Sequence, residues 1–315
     1  MKRFLVGLLI IVFGFTMAGC SSGQNDAAPD KNEKTIRIGV MPDVESIPFI
    51  IADKNGYFAQ EGVKVKIEHF KSAQDRDSAL QTGELDGVVT DVLAVVFANE
   101  GGFNLKMISS NDGNIELMAG KESGIMSMQD LPGKSIGLST NTIMEYTTDQ
   151  MLAAAGLKPE DINKIAIAPL PTRMEMLQGG KIDAGILPEP LAGLAVKNGA
   201  KVLQSTDRMA NKAGAIAFTQ KSLKESPQEV KAVIRAYNQA VDYLDKEPLD
   251  SFSDYVIKTQ GFPPVIKDSL QLPQYRKMAL PDENIVADVV EWMRTKNLIK
   301  GNYEYADLVD KNILR

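Results

Sequence analysis

A near-repeat 97 residues apart does most to limit what this chain can fold into. Leu80-Gln81-Thr82-Gly83-Glu84-Leu85-Asp86-Gly87-Val88-Val89 is matched by Leu177-Gln178-Gly179-Gly180-Lys181-Ile182-Asp183-Ala184-Gly185-Ile186. Each copy reads as a helix end, a glycine stop, an acidic turn, a short strand and a new helix. The glycines allow the left-handed exit of the first helix, and Asp86 and Asp183 start the strands. The segments that follow also correspond: Leu93 to Gly102 and Leu191 to Gly199 are each a helix with a glycine exit. Solenoid repeats run about 20–50 residues, so an offset this long implies two related α/β lobes.

Hydrophobic periodicity supplies the other elements. Ile36, Ile38 and Val40 alternate with Thr35, Arg37 and Gly39 in a first strand over 35–41. A helix over 47–54 ends at Gly56. Val63, Val65, Ile67 and His69 alternate with Lys64, Lys66 and Glu68 in a second strand, which places His69 on its apolar side as a packed residue. Helix 73–82, strand 87–90, helix 91–99 and strand 105–109 follow. Helix 143–155 then leads to strand 164–168, helix 172–178, strand 184–187, helix 189–198 and strand 201–204. The region from Pro227 is mostly helical, most clearly over 227–245 and 282–296. This β-α rhythm implies parallel sheets with helices on their faces. Ligands of open α/β sheets sit at the carboxyl ends of strands. The expected cleft therefore lies between Thr90-Asp91 and Pro188-Glu189-Pro190. Segments 115–120 and 214–219 are expected to cross between lobes as hinge strands. That makes lobe 1 residues 35–118 plus 217–315, and lobe 2 residues 119–216.

The N-terminus reads as an export signal over residues 1–19. Lys2 and Arg3 precede an apolar run from Phe4 to Phe15, and Met17-Ala18-Gly19-Cys20 resembles a lipoprotein processing site. The run is shorter than the about 20 apolar residues a membrane-spanning helix needs. Cys20 is the expected lipidation site. Residues 20–34 are the lipidated cysteine and a polar, flexible tether, so the membrane is touched only through the lipid.

Composition excludes several kinds of chemistry. Setting aside Lys2 and Arg3 takes 35 basic residues to 33 against 41 acidic, a net charge of −8. Such a chain does not bind nucleic acid through its bulk charge. With Cys20 the only cysteine and His69 the only histidine, there is no disulfide, no Ser-His-Asp triad, no Cys-His dyad and no zinc motif. No Walker loop or G-x-S-x-G is present. No cofactor or metal is expected.

Three stretches carry a family likeness across about 36–245. They are Pro48 to Val63 with Gly56-Tyr57-Phe58 and Glu61-Gly62-Val63; Leu80 to Asp91; and Leu152 to Gly156 with Asp161-Ile162 and Gly180 to Pro190. In their order and spacing the chain resembles the nitrate/sulfonate/taurine and thiamine-pyrimidine-precursor family of ABC-transporter substrate-binding proteins. The resemblance implies an α/β, two-lobed periplasmic-binding-protein fold of type II, monomeric, closing on a small-molecule solute. It further implies delivery to a membrane permease and, through it, an ATPase. The pyrimidine synthases of thiamine biosynthesis also resemble this family; they work inside cells and consume an active-site histidine. A solute-sensing subunit for a membrane receptor is a third reading.

Four loops face the expected cleft. Asp43-Val44-Glu45-Ser46 precedes the first helix, and Asp43 and Ser46 are both helix-cap and ligand candidates. Thr90 and Asp91 open the next helix, where the dipole favours a carboxylate by about 0.3–1 kcal/mol. Asn111 belongs to the polar run Ser109 to Asn114. Ser139, Thr140, Asn141 and Thr142 open helix 143–155 and suit an anionic group, although Glu145 three residues after Thr142 also fits a capping box. Glu189, fixed between prolines, is the strongest candidate of the second lobe. Asp43, Glu45, Asp91, Asp112 and Glu189 outnumber Arg173, the only cation expected nearby. The expected solute therefore carries N–H donors or a positive group rather than being a bare oxyanion, which would favour arginine or lysine; an acid bound only through backbone N–H groups is the alternative. Tyr146 and Phe49 are the only near candidates for stacking.

Overall fold

The computed structural model describes residues 34–209 and 212–315. The expected leader 1–19, Cys20 and the tether up to residue 33 lie outside these residues. The chain enters as β1 (Thr35–Val40), α1 (Ile47–Lys54), α2 (Tyr57–Gln60), β2 (Lys64–His69), α3 (Ala73–Gln81), β3 (Gly87–Asp91), α4 (Val92–Glu100) and β4 (Leu105–Ser110). It continues through β5 (Ile115–Ala119), β6 (Ser135–Leu138), α5 (Ile143–Ala154), β7 (Asn163–Ala166), α6 (Leu170–Gln178), β8 (Ala184–Pro188), α7 (Leu191–Lys197) and β9 (Lys201–Ser205). It returns as β10 (Gly214–Thr219), α8 (Gln220–Glu225), α9 (Pro227–Leu244), α10 (Ser253–Gln260), α11 (Glu283–Thr295) and α12 (Tyr305–Leu308).

Two five-stranded sheets result, ordered β2-β1-β3-β10-β4 and β7-β6-β8-β5-β9. Position by position they are the same sheet. In each, the first three strands run parallel, and the fourth is antiparallel to both its neighbours. That fourth strand is β10 in one lobe and β5 in the other, the strand next to a crossing of the chain.

The crossings differ from expectation. Segments 115–120 and 214–219 do not span the lobes: β5 pairs wholly within the second sheet and β10 wholly within the first. Each is apolar and buried, and each finds partners on both sides, so its backbone groups are satisfied without leaving its sheet. The chain leaves the first sheet after Ser110 and joins the second at Ile115; it leaves the second after Ser205 and rejoins the first at Gly214. The first sheet thus ends at Ser110 and resumes at Gly214, a few residues earlier than the expected boundaries at 118/119 and 216/217.

The repeat has a structural meaning at three residues per copy. Asp86 donates its backbone N–H to Arg37 O (2.8 Å) and accepts Arg37 N–H on Oδ2 (2.9 Å). Asp183 treats Ser135 in the same way, at 3.1 and 2.8 Å, and also accepts the Ser135 hydroxyl at 2.6 Å. The aspartate thus fastens the start of the third strand to the start of the first. Gly39 and Gly137 sit at equivalent points on β1 and β6. A Cβ there would lie 2.6 Å from Leu85 Cδ1 in one lobe and 2.5 Å from Ile182 Cδ1 in the other. Arg76 and Arg173 are buried against the same two glycines.

Two sequence readings need correction. Strand β6 (Ser-Ile-Gly-Leu) is too short to show alternation by itself, and pairing on both sides with β7 and β8 is what forms it. His69 is exposed rather than packed. It ends the edge strand β2, whose Val65 and Ile67 are only half-buried, so the alternation runs out before it. The C-terminal helices fit the helical period: Val230, Val233, Ile234, Tyr237 and Val241 of α9 face inward, and Tyr237 packs on Phe49 of α1 at 5.0 Å between ring centroids.

Asp183→Ala should lower the unfolding free energy by about 1–3 kcal/mol, the cost of leaving a charged acceptor's donors unpaired. Urea denaturation at pH 7 measures it, and an unchanged midpoint would remove the aspartate from the account of the sheet.

Candidate functional site

The carboxyl ends of β1 and β3 face the loop before α5, and between them lies a cavity of about 60 Å³. Lobe 1 contributes Met41, Asp43 and Glu45 from the β1–α1 loop, Arg76 from α3, and Thr90 and Asp91 from the end of β3. Lobe 2 contributes Ser139, Thr142, Ile143 and Met144 around the start of α5, with Ala168, Leu170 and Pro188. Asn111 and Gly214 line it where the chain crosses.

Each polar group is held by local chemistry. Asp43 Oδ1 accepts the Ser46 N–H (3.1 Å) and hydroxyl (2.9 Å), forming the turn that starts α1. Asp91 Oδ1 accepts Ala94 N–H at 2.9 Å and caps α4. Asn111 Nδ2 donates to Thr90 O (3.1 Å) and Ala215 O (3.2 Å). Its Oδ1 occupies the space of a side chain at Gly214, where a Cβ would lie 2.0 Å away. Thr142 Oγ1 caps α5 through Met144 N–H at 3.2 Å and donates to Ser139 O at 2.9 Å.

The expected site residues separate into two groups. Asp43, Thr90, Asp91, Asn111, Ser139 and Thr142 come together on the cavity. Ser46, Thr140, Asn141 and Glu189 do not line it. Ser46 is fully buried, its hydroxyl bonded to Met41 O and Asp43 and receiving Gln260 Nε2 at 2.7 Å. Thr140 and Asn141 are exposed, and Asn141 N–H goes to Glu145 Oε2 at 2.7 Å, one residue earlier than a Thr142 capping box would require. The Glu189 carboxylate turns away into a depression shared with Glu116, Lys197 and Asp268, and accepts Gly193 N–H at 3.1 Å. Its backbone oxygen joins the lobes by accepting Val44 N–H at 3.2 Å.

Arg76 is the residue the sequence reading missed. Arg173 is not the only cation near the cleft: Arg76 lies 97 residues before it, at the repeat's own offset. Arg76 Nη1 donates to Val89 O at 2.9 Å, and Arg173 Nη1 donates to Ile186 O at 2.8 Å. Each therefore ties a helix to the middle of the strand that ends at the cleft. Their charges are already engaged. Arg76 Nη2 lies 2.8 Å from Asp77. Arg173 donates to the carbonyls of Ile167 and Ala168 and to Ser139 Oγ, and burial lowers its pKa to about 10.

The cavity therefore remains acidic. Burial pushes Asp43 up to about 6, opposed by its Ser46 bonds, and pushes Asp91 up to about 6, opposed by Arg76. Burial, then repulsion from Asp43, raises Glu45 well above the usual carboxyl range. Burial also raises Glu189 to about 7 in its separate depression.

Neither aromatic candidate faces the cavity. Phe49 packs within lobe 1. Tyr146 belongs to a clasp between lobes, where its hydroxyl donates to Asp288 of α11 at 2.5 Å and its ring meets Trp292 edge-on at 5.6 Å. Beside it, Glu145 and Asp149 of α5 share Lys164 of β7 (2.8 and 2.6 Å) and Lys296 after α11 (2.6 and 3.3 Å). Burial alone would raise Glu145, but the two lysines and Asn141 N–H outweigh it and hold the carboxyl down to about 2. On another face, Lys197 of α7 pairs with Asp268 at 2.7 Å, again across the lobes.

Comparisons with known proteins agree with this architecture. A family model described as NMT1/THI5 like matches residues 43–251. A Brachyspira hyodysenteriae protein whose name places it provisionally among ABC transporter periplasmic binding proteins is 24% identical over 262 residues, covering 78% of this chain and 75% of its own. A Saccharomyces cerevisiae protein named 4-amino-5-hydroxymethyl-2-methylpyrimidine phosphate synthase is 25% identical over 263 residues, covering 77% of this chain and 75% of its own. Among solved structures, the periplasmic aliphatic sulphonate binding protein of Escherichia coli matches with a TM-score of 0.74 at 16% identity, covering 88% of this chain and 92% of its own. The periplasmic nitrate-binding protein of Synechocystis matches at 0.75 and 12%, covering 90% and 88%. At these identities the structures establish the fold, which is the two-lobed α/β fold of periplasmic binding proteins.

The raised carboxyls predict a pH dependence. A folded-state pKa above the unfolded one means the native protein holds that proton more tightly. The resulting stability is complete below about pH 4 and is lost as pH rises through about 6 to 7. A shift from 3.8 to about 6 at Asp91 corresponds to roughly 3 kcal/mol. Glu145 does not titrate in this window. Melting measured from pH 5.5 to 7.5 should fall as pH rises, and Asp91→Asn, which keeps the cap, should flatten the slope. An identical slope in the variant would contradict the assignment.

Proposed function

This chain belongs to the NMT1/THI5-like family, and we propose that it is the extracytoplasmic solute-binding component of an ABC importer. It captures a small polar solute between its lobes and delivers it to a membrane permease served by an ATPase. The observation that carries the reading is the cavity itself. Six separately predicted polar residues converge on it from both lobes and from the crossing, where hinge motion would open it. Closure would convert solute contacts into a shape the permease reads, because a ligand that touches both lobes stabilises only the closed form. The clasp of Tyr146, Glu145 and Asp149 against α11 lies between the parts that would have to separate.

The lining supports a solute with N–H donors or a positive group. Among the described residues three carboxyls face the cavity, and Arg76, the one cation among them, is ion-paired with Asp77. Export and anchoring through residues 1–19 and Cys20 belong to the same proposal. Among the described residues no helix is long and apolar enough to cross a membrane.

The yeast relatives named as synthases raise an enzymatic reading. The resemblance implies that such enzymes consume an active-site histidine. The only histidine here, His69, is exposed at the end of an edge strand and does not line the cavity.

A thermal-shift screen of the full chain in mild detergent tests the proposal, with amines, polyamines, pyrimidine precursors, riboflavin, amino acids, sulfonates and nitrate. A true solute at 100 times its dissociation constant should add about 2.7 kcal/mol of stability. Asp91→Asn should abolish the response, while Glu189→Gln, outside the cavity, should keep it. A response confined to nitrate or sulfonates would overturn the charge argument.

A further inference from the structure

Glu45 was counted among the acidic loop residues but not among the candidate contacts, and its surroundings single it out. It stands between the main cavity and a smaller one of about 20 Å³ next to the crossings, and Asn111, Ile115, Ile143 and Gly214 border both with it. Its Oε2 is buried without a hydrogen-bond partner among the described residues, and so is Thr90 Oγ1 on the wall of the same cavity. Thr90 is 6% exposed. A buried carboxylate oxygen left unpaired is costly, and such a group is normally matched by a partner that completes it.

The chain makes room for this side chain. Gly113 lies in the first crossing, and a Cβ there would fall 1.9 Å from Glu45 Oε1. Any other residue at 113 would displace the carboxylate. The cations that face Glu45 are already committed. Arg76 donates to Val89 O and is ion-paired with Asp77, although its buried Nη2 makes no hydrogen bond among the described residues, and Lys212 of the second crossing pairs with Asp207 at 2.5 Å. Asp43, on the same loop, adds like charge and also shares a side-chain hydrogen bond with Glu45, while its Oδ1 accepts from Ser46. A polar group of a bound solute would complete Glu45 Oε2 and Thr90 Oγ1.

We propose that Glu45 is the charge-selecting residue of the cavity, and that the solute presents to it a protonated N–H group of the amidinium or amine class. The inference rests on the cavity being the solute site. Burial keeps the Glu45 carboxyl protonated well above its usual range. In the unliganded site a proton thus stands where the solute's cation would be. Thr90 Oγ1, at the same wall, accepts a second N–H or donates to a neighbouring acceptor of the solute.

Acetamidinium and acetamide test this, because they share shape and differ in charge. Isothermal titration and thermal shift are measured on the full chain, on Glu45→Gln and on Gly113→Ala. Wild type should bind acetamidinium about tenfold or more tightly than acetamide, and Glu45→Gln should lose that preference while binding acetamide as before. Gly113→Ala should lose it too, through displacement of an unaltered carboxylate. Full preference retained in Glu45→Gln would overturn the selector role and leave the cavity as the solute site. No preference for acetamidinium in wild type would overturn charge selection. Tighter binding of methanesulfonate or nitrate than of acetamidinium would overturn both this inference and the donor-bearing solute.

Discussion

Two buried guanidinium groups, Arg76 and Arg173, hold the cleft-facing half of each lobe in place. Each leaves a helix, passes over a glycine of the first strand, and donates to a carbonyl at the middle of the third strand, two residues before its end. That strand end is where a ligand must sit in an open α/β sheet. A buried guanidinium has five donors to satisfy: Arg173 fixes the carbonyls of Ile167, Ala168 and Ile186 at once, whereas Arg76 holds Val89 O alone among backbone groups. Asp86 and Asp183 fasten the opposite ends of the same strands. The two lobes differ in how the charge is balanced. Arg76 has Asp77 beside it, while the equivalent neighbour of Arg173 is Met174, so Arg173 relies on carbonyls and the Ser139 hydroxyl. Lobe 1 then adds three carboxyls of its own to the cavity, and this makes the cleft acidic on one side.

Much of this was legible before any coordinates. The repeat declares two lobes because its glycines, aspartates and strand cores must recur for the same backbone reasons. The strong strands and the long amphipathic helices α9 and α11 follow from period alone. The repeat extends further than its most similar stretch suggests: Gly39 and Gly137, and Arg76 and Arg173, belong to it. They are isolated single residues in otherwise unrelated segments; the 97-residue offset identifies the arginines, and equivalent strand pairing identifies the glycines, which are 98 apart. The crossings were harder to place. An apolar segment beside a polar one marks the edge of a sheet, but which sheet it joins is decided by tertiary pairing. β6 shows the same limit, since four residues hold too little pattern to declare a strand.

The site was legible in outline and less so in direction. Loops at strand ends can be named from topology, and six of the ten candidates do meet. Side-chain direction depends on which backbone donors compete for a polar group. Ser46 is taken by the turn before α1, and Glu189 by the start of α7. Tyr146 and Glu145, one turn into α5, point to the other lobe's α11 and not into the cavity. What that clasp contributes is a set of contacts between lobes that exists only when they are together, in which paired lysines and carboxylates are buried enough to resist screening.

The central claim is that the cavity is acidic and completed by a donor-bearing solute. The number of protons exchanged on binding tests it most directly. Titration calorimetry near pH 6.5, in buffers of different ionisation enthalpy, gives that number. A positive group arriving beside Asp43, Glu45 and Asp91 must lower their raised pKa values, so the account predicts net proton release on binding. Net proton uptake would mean that the solute brings negative charge to the carboxyls, and the account of the cavity would be wrong.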